Sequence, residues 1–355
     1  MNKRIRIFSI VCVILLVAVT AAFSGNDNTG TSVGNFLKIG VGSRAAAMGN
    51  AYVALANDVT ALYWNPAGIA NIAGTEIGVS YTNWILDINH NFVGIVHNLG
   101  GFGVIGVSFN YLSMGEMERT TPEEPHGTGV YFDASDMAVG VAYARNLTDR
   151  FSAGIKVKYV RETIGYCSAG TMALDAGTQF VTGFHGMRLG MSVSNFSAGM
   201  QMSGTDQIVK TKREKAIEGV PEEVALLRTD KFALPLTFRF GISLDLLKSE
   251  MNRFTVNTDY TDPRDVAPIG NFGVEYGWND LIYLRGGVIY RSEDYDEQLL
   301  KDEGEVAMNY DVTFSFGGGL NLPVPGLGHN VQLDYAYTDL GILTTVHQFS
   351  FRLEL

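Results

Sequence analysis

From residue 76 onward the chain falls into stretches in which apolar and polar side chains alternate, the two-residue period of strands whose two faces meet different surroundings. The clearest runs from Phe232 to Asp245: Phe232, Leu234, Leu236, Phe238, Phe240, Ile242 and Leu244 share one face, and Ala233, Thr237, Arg239, Ser243 and Asp245 the other. Val306, Met308, Tyr310, Val312, Phe314 and Phe316 stand opposite Ala307, Asn309, Asp311, Thr313, Ser315 and Gly317. Val331, Leu333, Tyr335 and Tyr337 alternate with Gln332, Asp334 and Thr338, and the chain closes on Phe349, Phe351, Leu353 and Leu355 against Gln348, Ser350, Arg352 and Glu354. The pattern predicts strands over 76–83, 88–99, 101–112, 131–145, 151–164, 170–183, 186–196, 232–246, 251–261, 268–278, 281–291, 305–320, 328–339 and 344–355, about fourteen in all.

Every second connection is short or turn-like: Leu99 to Gly101, Asn146 to Asp149, Gly183 to Gly186, Leu247 to Glu250, Gly277 to Asp280 and Leu320 to His329. The others are mostly longer, notably 113–130, 197–231 and 292–304. An even strand count with short turns on one rim and long loops on the other is the pattern of a bacterial outer-membrane β-barrel, with both termini on the short-turn side. A soluble sandwich or propeller would alternate too, but rarely aims ionisable groups into its core. Here Lys156, Lys158, Arg239, Asp259, Asp311 and Asp334 all fall on polar strand faces, which suits a wet lumen inside an apolar outer wall.

Composition agrees: 41 Gly, 20 Phe and 16 Tyr accompany only 18% charged residues, a bias toward strands and tight turns. Lys3, Arg4 and Arg6 before an apolar run from Ile7 to Ala22, then Ala22-Phe23-Ser24, read as a signal peptide over 1–24, the rival being a retained membrane anchor. No later segment offers a membrane-length apolar run, so any crossing falls to strands. Removing the three basic leader residues takes the formal charge from -11 to -14, which argues against nucleic acid as a partner. Cys12 leaves with the leader, and Cys167 alone can form no intramolecular disulfide.

Residues 43–75 do not alternate. Ser43 is placed to cap a short helix running through Arg44 and Met48 to Ala54, and Asp58 to cap a second turn that Asn65-Pro66-Ala67-Gly68 then breaks. The run Gly42-Ser43-Arg44-Ala45-Ala46-Ala47-Met48-Gly49-Asn50-Ala51-Tyr52, through Asp58 to Trp64-Asn65-Pro66-Ala67-Gly68, resembles the opening of PorV/PorQ family proteins, relatives of the FadL long-chain fatty-acid channels. The resemblance implies an all-β transmembrane barrel of fourteen strands at 76–355, with a small helical hatch at 25–75 folded into the lumen. Arg44, Met48, Gly49, Asp58, Asn65, Pro66, Ala67 and Gly68 are then the residues that form and hold the hatch. For Arg44 and Asp58, pairing with lumenal charges and simple helix capping both stay open. One departure is the terminal Leu355, where such barrels commonly end in an aromatic residue.

The same resemblance implies a bacterial outer-membrane location and either of two roles. One is a type IX secretion component that receives exported cargo proteins and hands them to other parts of the secretion complex. The other is a FadL-like channel for hydrophobic small molecules. Lumen positions that are mainly small or polar favour the first. Catalytic chemistry is not indicated: Gly40-Val41-Gly42-Ser43-Arg44-Ala45 fits a loose dinucleotide fingerprint but no βαβ series follows. His90, His97, His126, His185, His329 and His347 lack metal-ligand spacing, and no G-x-S-x-G elbow occurs. The expectation is neither enzyme nor cofactor or metal binder, with outer-membrane lipid among its partners. The loop 197–231 mixes Lys210, Lys212, Arg213 and Lys215 with Glu214, Glu218, Glu222 and Glu223, and reads as a solvated loop or a partner-binding surface.

Overall fold

The computed structural model describes residues 30–184, 186–211, 223–291, 312–324 and 329–355. The expected leader at 1–24, His185, the loop 292–304, residues 305–311 of one expected strand and residues 212–222 of the charged loop lie outside the described residues.

Fourteen strands close into a ring: β1 (Thr75–Asn83), β2 (Asn89–Asn98), β3 (Val104–Ser113), β4 (Ala134–Thr148), β5 (Phe151–Ile164), β6 (Cys167–Val181), β7 (Arg188–Ser197), β8 (Thr237–Lys248), β9 (Asn252–Pro263), β10 (Ile269–Trp278), β11 (Ile282–Arg291), β12 (Val312–Val324), β13 (His329–Asp339) and β14 (Thr345–Glu354). Each pairs antiparallel with the next, and β1 pairs with β14 from Glu76 opposite Glu354 to Asn83 opposite His347. The sheet's fifteenth member, the two-residue Ser203–Gly204, lies beside β6 and outside the ring. Closure removes the open edge that an unpaired strand would present.

Burial runs opposite to polarity along the wall. On β1 Glu76, Ser80 and Thr82 are buried while Val79 and Tyr81 are exposed; on β5 Lys156 and Lys158 are buried while Ile155, Val157 and Tyr159 are exposed. In water such a pattern would be costly, because it presents the larger apolar side chains to solvent and hides the charged ones. Among the described residues no helix is long and apolar enough to cross a membrane, which says nothing about strands.

The turns between β10 and β11 show why one rim is tight: Asn279 and Asp280 take φ of 53° and 50°, the left-handed pair that matches the twist of a two-stranded ribbon. The opposite rim carries the long segment 114–133 and the described residues 198–211 and 223–236, but it is less uniform than the sequence suggests. Gly165 at φ 54° lets β5 turn directly into β6 there.

Three sequence expectations need correction. β8 begins at Thr237, not Phe232: Pro235 has no N–H for the ladder, and its carbonyl instead accepts from Thr237 Oγ1 at 2.9 Å. Phe232 and Ala233 bridge Met200 and Ser32 off the wall. Second, the first described stretch of the chain and the C-terminus do not share a rim. The C-terminal Leu355 N–H donates to the Thr75 carbonyl at the short-turn rim. By contrast, Lys38 pairs at 2.8 Å with Asp265 in the β9–β10 connection, at the long-loop rim. From Lys38 the chain therefore runs through the ring to reach Thr75. Third, the first helix is much shorter than expected, as described next.

Candidate functional site

The apolar core lies inside the ring and is made largely by the N-terminal segment: Val41, Met48, Tyr52, Leu55, Leu62, Trp64 and Ile69 pack with Phe92, Val96 and Val104 of the wall. Helix α1 spans only Ser43–Ala47. Gly49 and Asn50 follow at φ 60° and 63°, left-handed geometry that ends a helix, so the Ala-rich run to Ala54 continues as irregular chain. Gly42, not Ser43, stands at the N-cap, and the Ser43 amide and hydroxyl meet Ser350 Oγ at 2.9 Å each. The two glycines of the dinucleotide-like motif are themselves packed over, since a Cβ at Gly40 would stand 2.6 Å from Asn50 Oδ1 and one at Gly42 2.9 Å from Thr60 Cγ2.

Helix α2 spans Ala61–Trp64. Asp58 is not its cap; Thr60 holds that position, and Asp58 Oδ1 accepts the Thr60 amide at 2.9 Å. Asn65 caps the 3-10 turn Pro66–Asn71 by accepting from the Ala67 amide at 3.2 Å. Its Nδ2 donates to the carbonyls of Val53 and of Thr178 on β6, both at 3.0 Å, joining segment to wall.

One charge network joins the segment to five strands. Arg44 grips Glu275 of β10 with two hydrogen bonds, Nε to Oε2 at 2.8 Å and Nη2 to Oε1 at 2.9 Å, the planar fork a carboxylate fits best. Glu275 also takes Arg285 Nε of β11 at 2.7 Å, and Arg285 Nη1 reaches Asp334 of β13 at 2.6 Å. Asp58 Oδ2 lies 3.4 Å from Arg44 and 3.1 Å from Arg352 of β14, and Arg352 approaches Glu76 of β1 at 3.9 Å. Tyr52 completes the cluster by donating its hydroxyl to Asp58. Buried charges of this kind are tolerable only when paired and fully hydrogen-bonded.

The electrostatics follow from that geometry. Burial alone would raise the Asp58 carboxyl, but Arg352 and Arg44, with hydrogen bonds from Thr60 and Tyr52, outweigh it and hold the group below the ordinary aspartate range. Burial pushes the Tyr52 phenol well up, with the Asp58 charge adding to it against Arg44. Arg44 is raised despite burial, chiefly by Glu275. All three groups are thus fixed in one protonation state near neutrality: Asp58 and Arg44 charged, Tyr52 neutral.

The segment is also held by close backbone approach. A Cβ at Gly287 of β11 would stand 2.1 Å from Gly49 N, one at Gly177 of β6 2.0 Å from Asn65 Oδ1, and one at Gly154 of β5 2.5 Å from Pro66 C. Gly190 of β7 and Gly273 of β10 meet the carbonyls of Val53 and Met48 in the same way, each at 2.5 Å. Glycine here makes room: only a wall position without a side chain lets the segment's backbone sit against it. Hydrogen bonds complete the fit, with Asp259 Oδ2 accepting the Tyr52 and Val53 amides at 2.6 and 2.7 Å, and Asn271 Nδ2 donating to the Gly49 carbonyl at 2.7 Å.

Of the residues the sequence singles out, Arg44, Met48, Gly49, Asp58, Asn65, Pro66, Ala67 and Gly68 all lie in this inner segment; Met48, Asn65 and Ala67 are fully buried. Sequence reading put Asp259 and Arg352 on polar faces without pairing them to the segment, and it missed Glu275, Arg285 and the inward glycines. The available signal was glycine recurring at polar-face positions of predicted strands. Among the described residues no group of three or more His, Cys, Asp or Glu side chains is placed to hold a metal ion.

The family described as type IX secretion system protein PorV matches residues 23–267. No curated protein matches the chain. Among solved structures it is similar to the Pseudomonas putida toluene transporter TodX, at 12% identity over 88% of this chain and 97% of that one, with a TM-score of 0.56. The Ralstonia pickettii toluene transporter TbuX is 13% identical over 88% and 97%, with a TM-score of 0.52. A Pseudomonas aeruginosa FadL homologue is 11% identical over 93% and 98%, with a TM-score of 0.51. At these identities the likeness to the solved structures concerns the fold.

Proposed function

The chain belongs to the family of the type IX secretion system protein PorV, and from that we propose that it works in the bacterial outer membrane as a plugged barrel that receives secreted cargo proteins and passes them to other components of the secretion complex. The reading divides the chain into a leader at 1–24, a hatch at 25–75 and a membrane-embedded barrel at 76–355. Arg44, Met48, Gly49, Asp58, Asn65, Pro66, Ala67 and Gly68 form and seat the hatch. The family and the fold are those of a secretion and transport barrel and not of a known enzyme class.

The observation that carries the proposal is the filled lumen inside an apolar outer wall. Exposed Val, Ile, Leu, Phe and Tyr side chains around the ring suit lipid acyl chains, while inward polar groups such as Glu275, Asp259 and Asn271 bond to the hatch. Two cavities beside the hatch are each of about 20 Å³, room for a water but far below a small-molecule site. The long-loop rim is available to a partner, with Tyr166 78% exposed there.

A photo-cross-linking side chain at Tyr166 is expected to capture secreted protein in cells, and one at the buried Ser315 is not. Absence of adducts at every rim position, together with passage of apolar solutes into vesicles carrying the protein, would instead favour a hydrophobic small-molecule channel. The fold shared with toluene transporters supports that second reading.

A further inference from the structure

A second charged cluster lies away from the hatch anchors. Lys156 and Lys158 of β5, Asp175 of β6 and Arg239 of β8 line a cavity of about 20 Å³ together with Leu37 and Tyr63. All four charged side chains are more than nine-tenths buried. Lys158 is satisfied: its Nζ donates to Asp175 Oδ2 at 2.8 Å and to Asn195 Oδ1 at 2.5 Å. Asp175 Oδ1 is taken by the Asn195 amide at 2.7 Å. Arg239 donates to Ser194 Oγ at 3.1 Å and stacks over the rings of Tyr63 and Trp64 at 5.6 and 5.5 Å.

The carboxylate that acts on Arg239, Asp259, spends its Oδ2 on the two hatch amides. Lys156 is the exception. Its ammonium carries three donors, and among the described residues the one hydrogen-bond acceptor it meets is the Leu62 carbonyl at 2.8 Å. Among the described residues three buried cations thus face two carboxylates, and an uncompensated charge in such a place is expensive.

We infer that this cavity binds a single halide-sized anion, chloride in ordinary media, held by Lys156 with Lys158 and Arg239 around it. The size of the cavity matches one guest of water or halide dimensions, which sets the ligand class apart from any carboxylate with an apolar tail. The anion supplies the missing negative charge and the missing acceptor together. Because Lys156 also holds the Leu62 carbonyl of α2, and Arg239 the rings of Tyr63 and Trp64, the bound ion ties β5 and β8 to the hatch. The site is independent of whether the barrel handles cargo or small molecules.

The test uses the full mature protein in detergent, melted in sodium chloride, sodium bromide and sodium gluconate at equal ionic strength, with bromide anomalous diffraction from crystals grown in the bromide salt. Chloride and bromide are expected to raise the melting midpoint saturably and gluconate not to. At ten times the half-saturating concentration the folded-to-unfolded ratio rises about elevenfold. A bromide peak is expected beside Lys156 Nζ, and Lys156→Met is expected to abolish both effects while Lys248→Met at the exposed rim keeps them. Identical melting in all three salts with no peak would mean that Lys156 is held neutral beside a water, and a peak that survives Lys156→Met would place the ion elsewhere; either overturns the inference. Should Lys156→Met fail to fold, the salt comparison and the diffraction on the unaltered protein still decide.

Discussion

Gly286 and Gly287 are neighbours on β11 that face opposite ways, and alanine at each asks the same backbone two different questions. A Cβ at Gly286 finds nothing nearer than Phe316 Cδ1 at 3.8 Å, whereas one at Gly287 would fall 2.1 Å from both Gly49 N and Met48 C. Ordinary contact needs about 3.5 Å, and the obstacle is backbone that no rotamer change can move aside. Met48 and Gly49 must therefore lift away from the wall. The lift breaks the bonds from Gly49 N to Ser315 Oγ and from Asn271 Nδ2 to the Gly49 carbonyl, at 2.9 and 2.7 Å, and uncovers the fully buried Met48. Two hydrogen bonds at about 1 kcal/mol each and about 2 kcal/mol for the methionine sum to about 4 kcal/mol, or roughly a thousandfold in the seated-to-unseated ratio. Planar-bilayer conductance and limited trypsin cleavage at Lys38 and Arg44 would read the change. Gly287→Ala is expected to conduct more and to be cut faster, and Gly286→Ala to match the unaltered protein. Equal behaviour of the two variants would refute the idea that backbone contact seats the segment.

Deleting residues 25–75 is expected to leave a barrel that still inserts into bilayers but conducts ions more freely; unchanged conductance would sink the hatch. Arg44→Ala leaves Glu275 with Arg285 and Asp58 with Arg352, so its cost should be about 2 to 3 kcal/mol rather than that of a bare buried charge, measured as a lower urea midpoint. A double-mutant cycle with Glu275→Gln should show non-additivity, and strict additivity would deny the pairing. Asp58 is held below its ordinary value, so the unfolded chain binds its proton first on acidification. Its contribution is complete above about pH 4 and is lost as pH falls through the folded value; bilayer conductance should rise over that acid range, and Asp58→Asn should remove the step.

The wall was legible because a strand's period of two survives any register, so polar and apolar faces can be assigned residue by residue without knowing which strand pairs with which. Alternation is blind to hydrogen bonding, which is why the run through Leu234 and Leu236 looked like strand although Pro235 interrupts the ladder. Helix length in the segment was misjudged for a related reason: alanine favours helix, but the left-handed Gly49 and Asn50 are imposed by the fit of Met48–Gly49 against Gly273 and Gly287. Such close approach joins residues more than 200 positions apart and leaves no local trace. The partners of Arg44 and Asp58 were hidden likewise, since Glu275 and Arg352 are one inward polar residue among many until the ring closes. The glycines were read only as a bias toward strands and tight turns, although their spacing along polar faces carried the outline of the segment they accommodate.

The central claim is a membrane-embedded closed barrel, and the most direct test is electrophoretic mobility of the mature protein in detergent before and after boiling, with circular dichroism on the same sample. A compact band that shifts only on boiling, together with a β-rich spectrum, is the expected result. A protein that stays soluble without detergent and shows no shift would contradict it, because the exposed apolar wall could not then be facing lipid.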